Sequence, residues 1–208
     1  MNPAIGAPIA REEDLLMAIE PCTDLRDFFR RQLSTAFTRR RLEARPETRD
    51  YIAGVLVDCG LHPPPLSEPL VLSLSEALSS DAPSRLPRLL RTGDAALCLA
   101  GLFAPHVERT QGSLELYVHV GALAYQHAAE ASRASASEEP AAALVELGSG
   151  FPRFVDALQE VAESSALGAV TRDVVRLYDR MKSAGSERAA EELARRGVFS
   201  APGTTVPC

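Results

Sequence analysis

The residues best suited to chemistry are polar side chains at helical spacing between positions 114 and 131. Glu115 and His119 are four residues apart, so a helix places them on one face, where they could share a ligand. Gln126 and Glu130 continue the same stripe, which is roughly 60° wide at a period of 3.6 residues. The stripe either reaches solvent through a slot between helices or lines an internal pocket. The candidate pocket residues are Glu115, His119, Gln126, Glu130, Tyr117 and Tyr125.

The sequence contains no recognised catalytic or metal motif. A di-iron bundle needs Glu-x-x-His pairs on two helices, and the chain has neither these pairs nor an HExxH motif or a Cys/His cluster. It also lacks GxSxG, and Gly148-Ser149-Gly150 is too short for a phosphate loop. We therefore predict no metal, no cofactor and no catalytic residue, and lean against an enzyme while leaving that question open.

Arginines cluster on a helix predicted over residues 24–43. They form a candidate partner surface that could contact phosphate groups or an acidic protein. The alternative is an ordinary solvent-facing helix surface, which we favour because the phenylalanines of this helix are needed for a core. The net charge of −6 disfavours bulk nucleic-acid binding. The arginines are Arg26, Arg30, Arg31, Arg39, Arg40 and Arg41.

Two apolar helices between Arg91 and Ala131 must position the polar stripe that begins at Glu115. Residues 95–104 carry no charged side chain, and a helix that is apolar all round is buried in a core. Pro105 should end this helix near Phe103, and the second helix should begin near Ser113 after a polar turn. The stretch is too short to span a bilayer. The pattern predicts a buried helical hairpin covered by the rest of the chain.

No segment alternates apolar and polar residues over strand length. We therefore predict an all-α fold, a single-domain bundle of about nine helices around the hairpin. The predicted organisation is a flexible arm over residues 1–10, a helical domain over 11–199 and a flexible tail over 200–208. Within the domain, we expect Gly148 and Gly150 to end a short helix before another begins at Phe151.

Cysteine usage indicates a reducing compartment. None of Cys22, Cys59, Cys98 and Cys208 forms a CxxC motif, and Cys59 and Cys98 lie in apolar helical contexts. We predict reduced thiols and a cytoplasmic protein. The single lysine among 22 basic residues suggests a GC-rich bacterial genome.

Three segments resemble a group of uncharacterised bacterial all-helical proteins. These proteins share a GD-x-AL-x-x-x-GLF element, a Tyr-x-x-x-G-x-x-AY helix and a GSER-x-A element. The resemblance implies a shared helical fold over residues 85–198 and carries no established activity. We expect Asp94 to cap the apolar helix, and the Tyr117 and Tyr125 hydroxyls to need interior partners. The matching residues are Gly93, Asp94, Gly101, Phe103, Tyr117, Gly121, Tyr125 and 185–188.

Three functions remain open. The leading prediction is a non-enzymatic cytoplasmic protein that acts through contacts with a protein partner or as a homo-oligomer. The second is a small-molecule binder or enzyme with a pocket at the Glu115/His119 stripe. The third is nucleic-acid binding through the arginine helix.

Overall fold

Helices form where apolar residues recur at helical spacing, and they end at prolines or polar turns. The computed structural model describes residues 23–67, 69–111, 113–134, 138–164 and 166–195. Within these ranges there are nine helices and no strand, which confirms the all-α bundle. The helices are α1 Thr23–Arg40, α2 Pro46–Leu61, α3 Leu70–Ser79, α4 Ala82–Leu102, α5 Ala104–Gln111, α6 Leu114–Ala134, α7 Glu138–Ser164, α8 Ala166–Ala184 and α9 Glu187–Arg195.

The predicted arm, the predicted tail, Cys22 and Cys208 lie outside the described residues. Within the described ranges, no helix combines the length and apolar character needed to cross a membrane.

The core is organised around α4 and α6, as predicted for the central hairpin. Every residue from Ala96 to Leu102 is buried, and α6 packs extensively against both α4 and α7. Pro105 does follow the end of α4, whose last residue is Leu102. However, the predicted polar turn between the two helices contains a further helix, α5, because Phe103 and Ala104 pass directly into a new helical turn.

Small residues allow these helices to approach closely. A Cβ atom added at Gly101 would lie 2.7 Å from Leu158, and one added at Gly121 would collide with the Phe151 ring. Both glycines therefore make room for α4 and α6 to pack against α7.

The predicted helix break at Gly148 and Gly150 is wrong, because α7 runs without interruption from Glu138 to Ser164. Gly148 lies against Gln126 and the Ala122 carbonyl oxygen of α6. A Cβ atom added at Gly148 would lie 2.8 Å from Cγ of Gln126 and 3.2 Å from that oxygen. This glycine therefore makes room for a neighbouring helix and does not end its own.

A carboxylate of α7 holds the start of α2. Glu146 accepts hydrogen bonds from the backbone N–H of Arg45, at 3.1 Å, and from the Thr48 hydroxyl. Negative charge stabilises a helix N-terminus, whose first amide groups lack intrahelical partners. This contact fixes α2 against the core and so places its inward-facing side chains beside α4.

Candidate functional site

The predicted polar stripe of α6 faces solvent. Glu115, His119, Gln126 and Glu130 are all exposed. The hypothesis of an internal pocket lined by these four residues is therefore contradicted. The two tyrosines predicted with them, Tyr117 and Tyr125, are buried on other sides of the helix.

Tyr125, which is fully buried, instead belongs to a cluster that joins three helices. Its hydroxyl donates a 2.7 Å hydrogen bond to Oδ1 of Asp94 on α4, and the Tyr51 hydroxyl of α2 donates a 2.8 Å bond to the same oxygen. The two tyrosine rings meet edge to face, with centroids 5.9 Å apart. The Tyr125 hydroxyl thus has the interior partner that its burial predicted. Asp94, expected to cap α4, lies inside that helix, so the capping prediction is wrong.

Gly93 makes this cluster sterically feasible. A Cβ atom at position 93 would lie 2.8 Å from the Tyr125 ring, which is closer than side chains pack. The glycine and the aspartate that follows it therefore have a joint role: Gly93 admits the ring, and Asp94 binds its hydroxyl.

The protein environment disfavours a charge on Asp94. Burial raises the pKa of the Asp94 carboxyl above its usual range, the hydroxyl donations from Tyr125 and Tyr51 partly offset this, and nearby Asp58 raises it further. Burial together with the Asp94 charge raises the pKa of both tyrosines, which therefore remain hydrogen-bond donors.

Asp94 also lines a cavity of about 730 Å³ between α2, α3 and α4. The wall is partly apolar, with Val55, Leu90 and Ala95 among its residues. The charged and titratable lining residues are Asp58, His62, Glu76, Arg88, Arg91 and Asp94. Among the described residues, no donor bonds the second carboxylate oxygen of Asp94, Oδ2. The cavity therefore presents a half-buried carboxylate with one oxygen available to a ligand.

Two cysteines lie in the wall of the same cavity. Cys59 of α2 and Cys98 of α4 form a disulfide, with Cα atoms 6.3 Å apart. The prediction that both are reduced thiols is therefore wrong for this pair. Their separation of 39 residues in the sequence carries no pairing signal, since it depends on how α2 and α4 cross.

No protein-family model matches this chain, and no curated protein or solved structure matches it either. The resemblance noted from the sequence therefore remains an expectation.

The predicted arginine surface lies on α1 and just after it, and much of it pairs with acidic groups of the same chain. Arg30 bonds Asp27 and Asp50, at 3.1 and 2.9 Å, while Arg40 bonds Glu160 at 2.9 Å. Arg39 also approaches Glu160, at 3.5 Å, and Arg26 donates to the Asp50 carbonyl oxygen. Arg31 and Arg41 are exposed. Much of the positive charge therefore stabilises contacts between helices.

A second cavity, of about 580 Å³, lies beside α5 and α8 and includes buried His106 in its lining. Burial lowers the pKa of His106, with a neighbouring Asp179 carboxylate opposing that shift. Its Nε2 atom has no hydrogen-bond partner among the described residues, and its ring meets Tyr178 edge to face at 5.2 Å. In the part of the chain that the structure describes, no group of three metal-ligating side chains could hold an ion.

Proposed function

We propose that this protein binds a small organic molecule bearing an amine, in the cavity between α2, α3 and α4. The observation that carries the proposal is Asp94: both tyrosines bond Oδ1, and Oδ2 has no donor among the described residues although the side chain lines the cavity. Of the functions open from the sequence, this is the small-molecule class, at a different cavity from the one predicted.

The energetics distinguish a binding role from a structural one. A neutral asparagine oxygen could accept both tyrosine hydroxyls, so these two bonds alone do not require a carboxylate at this half-buried position. Burial raises the pKa of Asp94, so the folded chain by itself stabilises the carboxylate less well than water does. A ligand that donates to Oδ2 supplies the missing partner.

The lining indicates the ligand's chemistry. The lining carries three carboxylates, Asp58, Glu76 and Asp94, against two arginines, Arg88 and Arg91. Arg88 pairs with Glu76 at 4.0 Å, so the remaining negative charge lies at Asp58 and Asp94, which favours a cationic amine. Val55, Leu90 and the prolines 63–65 offer apolar surface to the body of the ligand. The volume is within the range of about 300–1,000 Å³ that is typical of small-molecule pockets.

Native mass spectrometry of untagged protein purified from its own cells tests the proposal, with Asp94→Asn purified in the same way. We expect the wild type to carry an additional mass of small-molecule size that the variant lacks. An adduct equally abundant on both proteins, or bare protomer mass on both, would contradict a ligand anchored by Asp94.

Action through a protein partner or a homo-oligomer, the leading prediction from the sequence, remains a prediction, as does a cytoplasmic location. The intramolecular ion pairs of Arg30 and Arg40 favour the solvated, structural interpretation of the arginine surface. We therefore propose no partner for it.

A further inference from the structure

The Cys59–Cys98 disulfide is placed where a small molecule can reach it. Both cysteines line the cavity, although neither is open to bulk solvent: Cys59 is 6% exposed and Cys98 is 1% exposed. A disulfide that served only as a crosslink would need no access to a cavity of this size. Cys59 is the more exposed residue of the two, which favours its sulfur as the atom that is attacked.

Two carboxylates share the cavity wall with the disulfide. Asp94 precedes Cys98 by one helical turn on α4, which places both side chains on the same helix face, and Asp58 directly precedes Cys59 on α2. Carboxylates repel anionic thiols and attract thiols that also carry an ammonium group. An aminothiol with two or three carbons between nitrogen and sulfur could bind the Asp94 carboxylate while its sulfur approaches the disulfide one turn away.

We propose that Cys59–Cys98 is a redox-active disulfide that exchanges with small aminothiols in the cavity. The inference rests on the proposed function for the site of the amine, and adds the class of ligand and a reaction.

The exchange proceeds through a mixed disulfide. The thiolate of the aminothiol attacks Sγ of Cys59, the Cys59–Cys98 bond breaks, and Cys98 leaves as a thiolate that takes a proton from water. A second aminothiol attacks the ligand sulfur of the mixed disulfide, which releases a small symmetric disulfide and the Cys59 thiolate. Two thiols lose two electrons in total, and the protein disulfide gains them. The reverse reaction with a small disulfide restores the Cys59–Cys98 bond.

The test measures reduction of the folded protein by cysteamine and by 3-mercaptopropionate, with acid quenching, alkylation and intact-mass detection. Each rate is divided by the rate of the same thiol with hydroxyethyl disulfide, which removes intrinsic reactivity. We expect the corrected rate for cysteamine to exceed that for 3-mercaptopropionate by about tenfold, the size of one charged hydrogen bond, and Asp94→Asn to remove most of that ratio.

The outcomes separate the two proposals. If the disulfide reacts with both thiols but the corrected ratio is near one in wild type and Asp94→Asn alike, the amine site is wrong. If reduction occurs only in denaturant while cysteamine still raises the melting temperature, the ligand site stands and the exchange proposal is overturned. If neither reduction nor stabilisation occurs, both fail.

Single cysteine variants test the order of attack. These variants are made in a Cys22→Ser, Cys208→Ser background, so that only the pair can be labelled. With cystamine as the oxidant, Cys98→Ser should acquire the mass of one cysteamine group on Cys59, whereas Cys59→Ser should react at least about tenfold more slowly, because Cys98 is the less exposed residue. Equal labelling of the two variants, or faster labelling of Cys98, would overturn the assignment of Cys59 as the attacked sulfur.

Discussion

The two sides of the central helix α6 differ in what their polar residues do. On one side, Glu115 and His119 form a regular stripe that faces solvent. On the other, Tyr125 reaches Asp94, a half-buried carboxylate that directly precedes the apolar run of α4. A polar stripe at helical spacing is the ordinary outer face of a helix. Placing a carboxylate next to the buried apolar residues of α4 removes part of its hydration and costs free energy, so Asp94 requires a specific explanation.

The largest effect should come from Gly93→Ala, which places a methyl group against the Tyr125 ring. Overpacking a core typically costs about 1–3 kcal/mol, and we expect the upper part of that range because the Tyr125–Asp94 bond is also disturbed. Urea unfolding measures the change. Gly60→Ala is the matched control: its Cβ would meet no atom within 4 Å, so it should be neutral or stabilising by about 0.5 kcal/mol.

Removing a single hydroxyl should separate the two sides of α6. Tyr125→Phe deletes one of the two donors to Asp94 and should lower the free energy of unfolding by about 1–2 kcal/mol. His119→Gln, on the exposed stripe, should change it by less than about 0.5 kcal/mol. Comparable losses in chemical denaturation would mean that the stripe is as integral to the structure as the Tyr125 cluster.

Asp94→Asn should change how stability depends on pH. Because the folded-state pKa of Asp94 lies above the unfolded value of about 3.9, the folded protein binds more protons between the two pKa values, and stability falls as pH rises through that window. The variant lacks this contribution, so its stability relative to wild type should increase from pH 4 upward. Glu115→Gln makes the same charge change on the exposed stripe and is the matched control. A relative stability of Asp94→Asn that falls with pH would contradict the environment assigned to Asp94.

His106, a buried base, should give stability the opposite dependence on pH. Its folded-state pKa is lowered, so the folded protein binds fewer protons than the unfolded chain below about pH 6.5, and stability should fall as the solution is acidified through that value. His106→Phe retains a ring against Tyr178 and should remove this loss, whereas His119→Gln should retain it. Thermal unfolding between pH 7 and pH 5 measures the difference.

The smallest effect concerns the arginine surface. Arg40→Glu would face the carboxylates of Glu160 and Asp156 and should cost about 1 kcal/mol, since exposed ion pairs contribute little. Arg31→Glu is the control on the same helix, and we expect it to be nearly neutral. If both charge reversals left the free energy of unfolding unchanged, the ion pairs between α1 and α7 would make no measurable contribution to stability.

The fold was predictable because helical periodicity depends on local spacing. The apolar run before Pro105 and the N-cap position of Ser113, whose Oγ accepts from the Leu116 amide, can both be found in the sequence. The continuity of α7 was not predictable, because Gly148 has the same local signature whether it ends a helix or admits a neighbour.

The site was less accessible to sequence reasoning. Tyr51, Asp94 and Tyr125 meet only because three helices cross at one point, and helix crossings are set by packing rather than by spacing along the chain. One signal was present: Asp94 directly precedes the most apolar run of the sequence and follows a glycine. The same position is also typical of a helix N-cap, so the sequence alone does not distinguish the two roles of Asp94.

Isothermal titration with 2-phenylethylamine and its uncharged analogue 2-phenylethanol tests the central claim most directly. The titrations use wild type, Asp94→Asn and the stripe double variant Glu115→Gln with His119→Gln. We predict that the amine binds wild type and the stripe variant equally, and that Asp94→Asn weakens it about tenfold or more, towards the affinity of the alcohol. Amine binding that survives Asp94→Asn but is lost in the stripe variant would contradict the account.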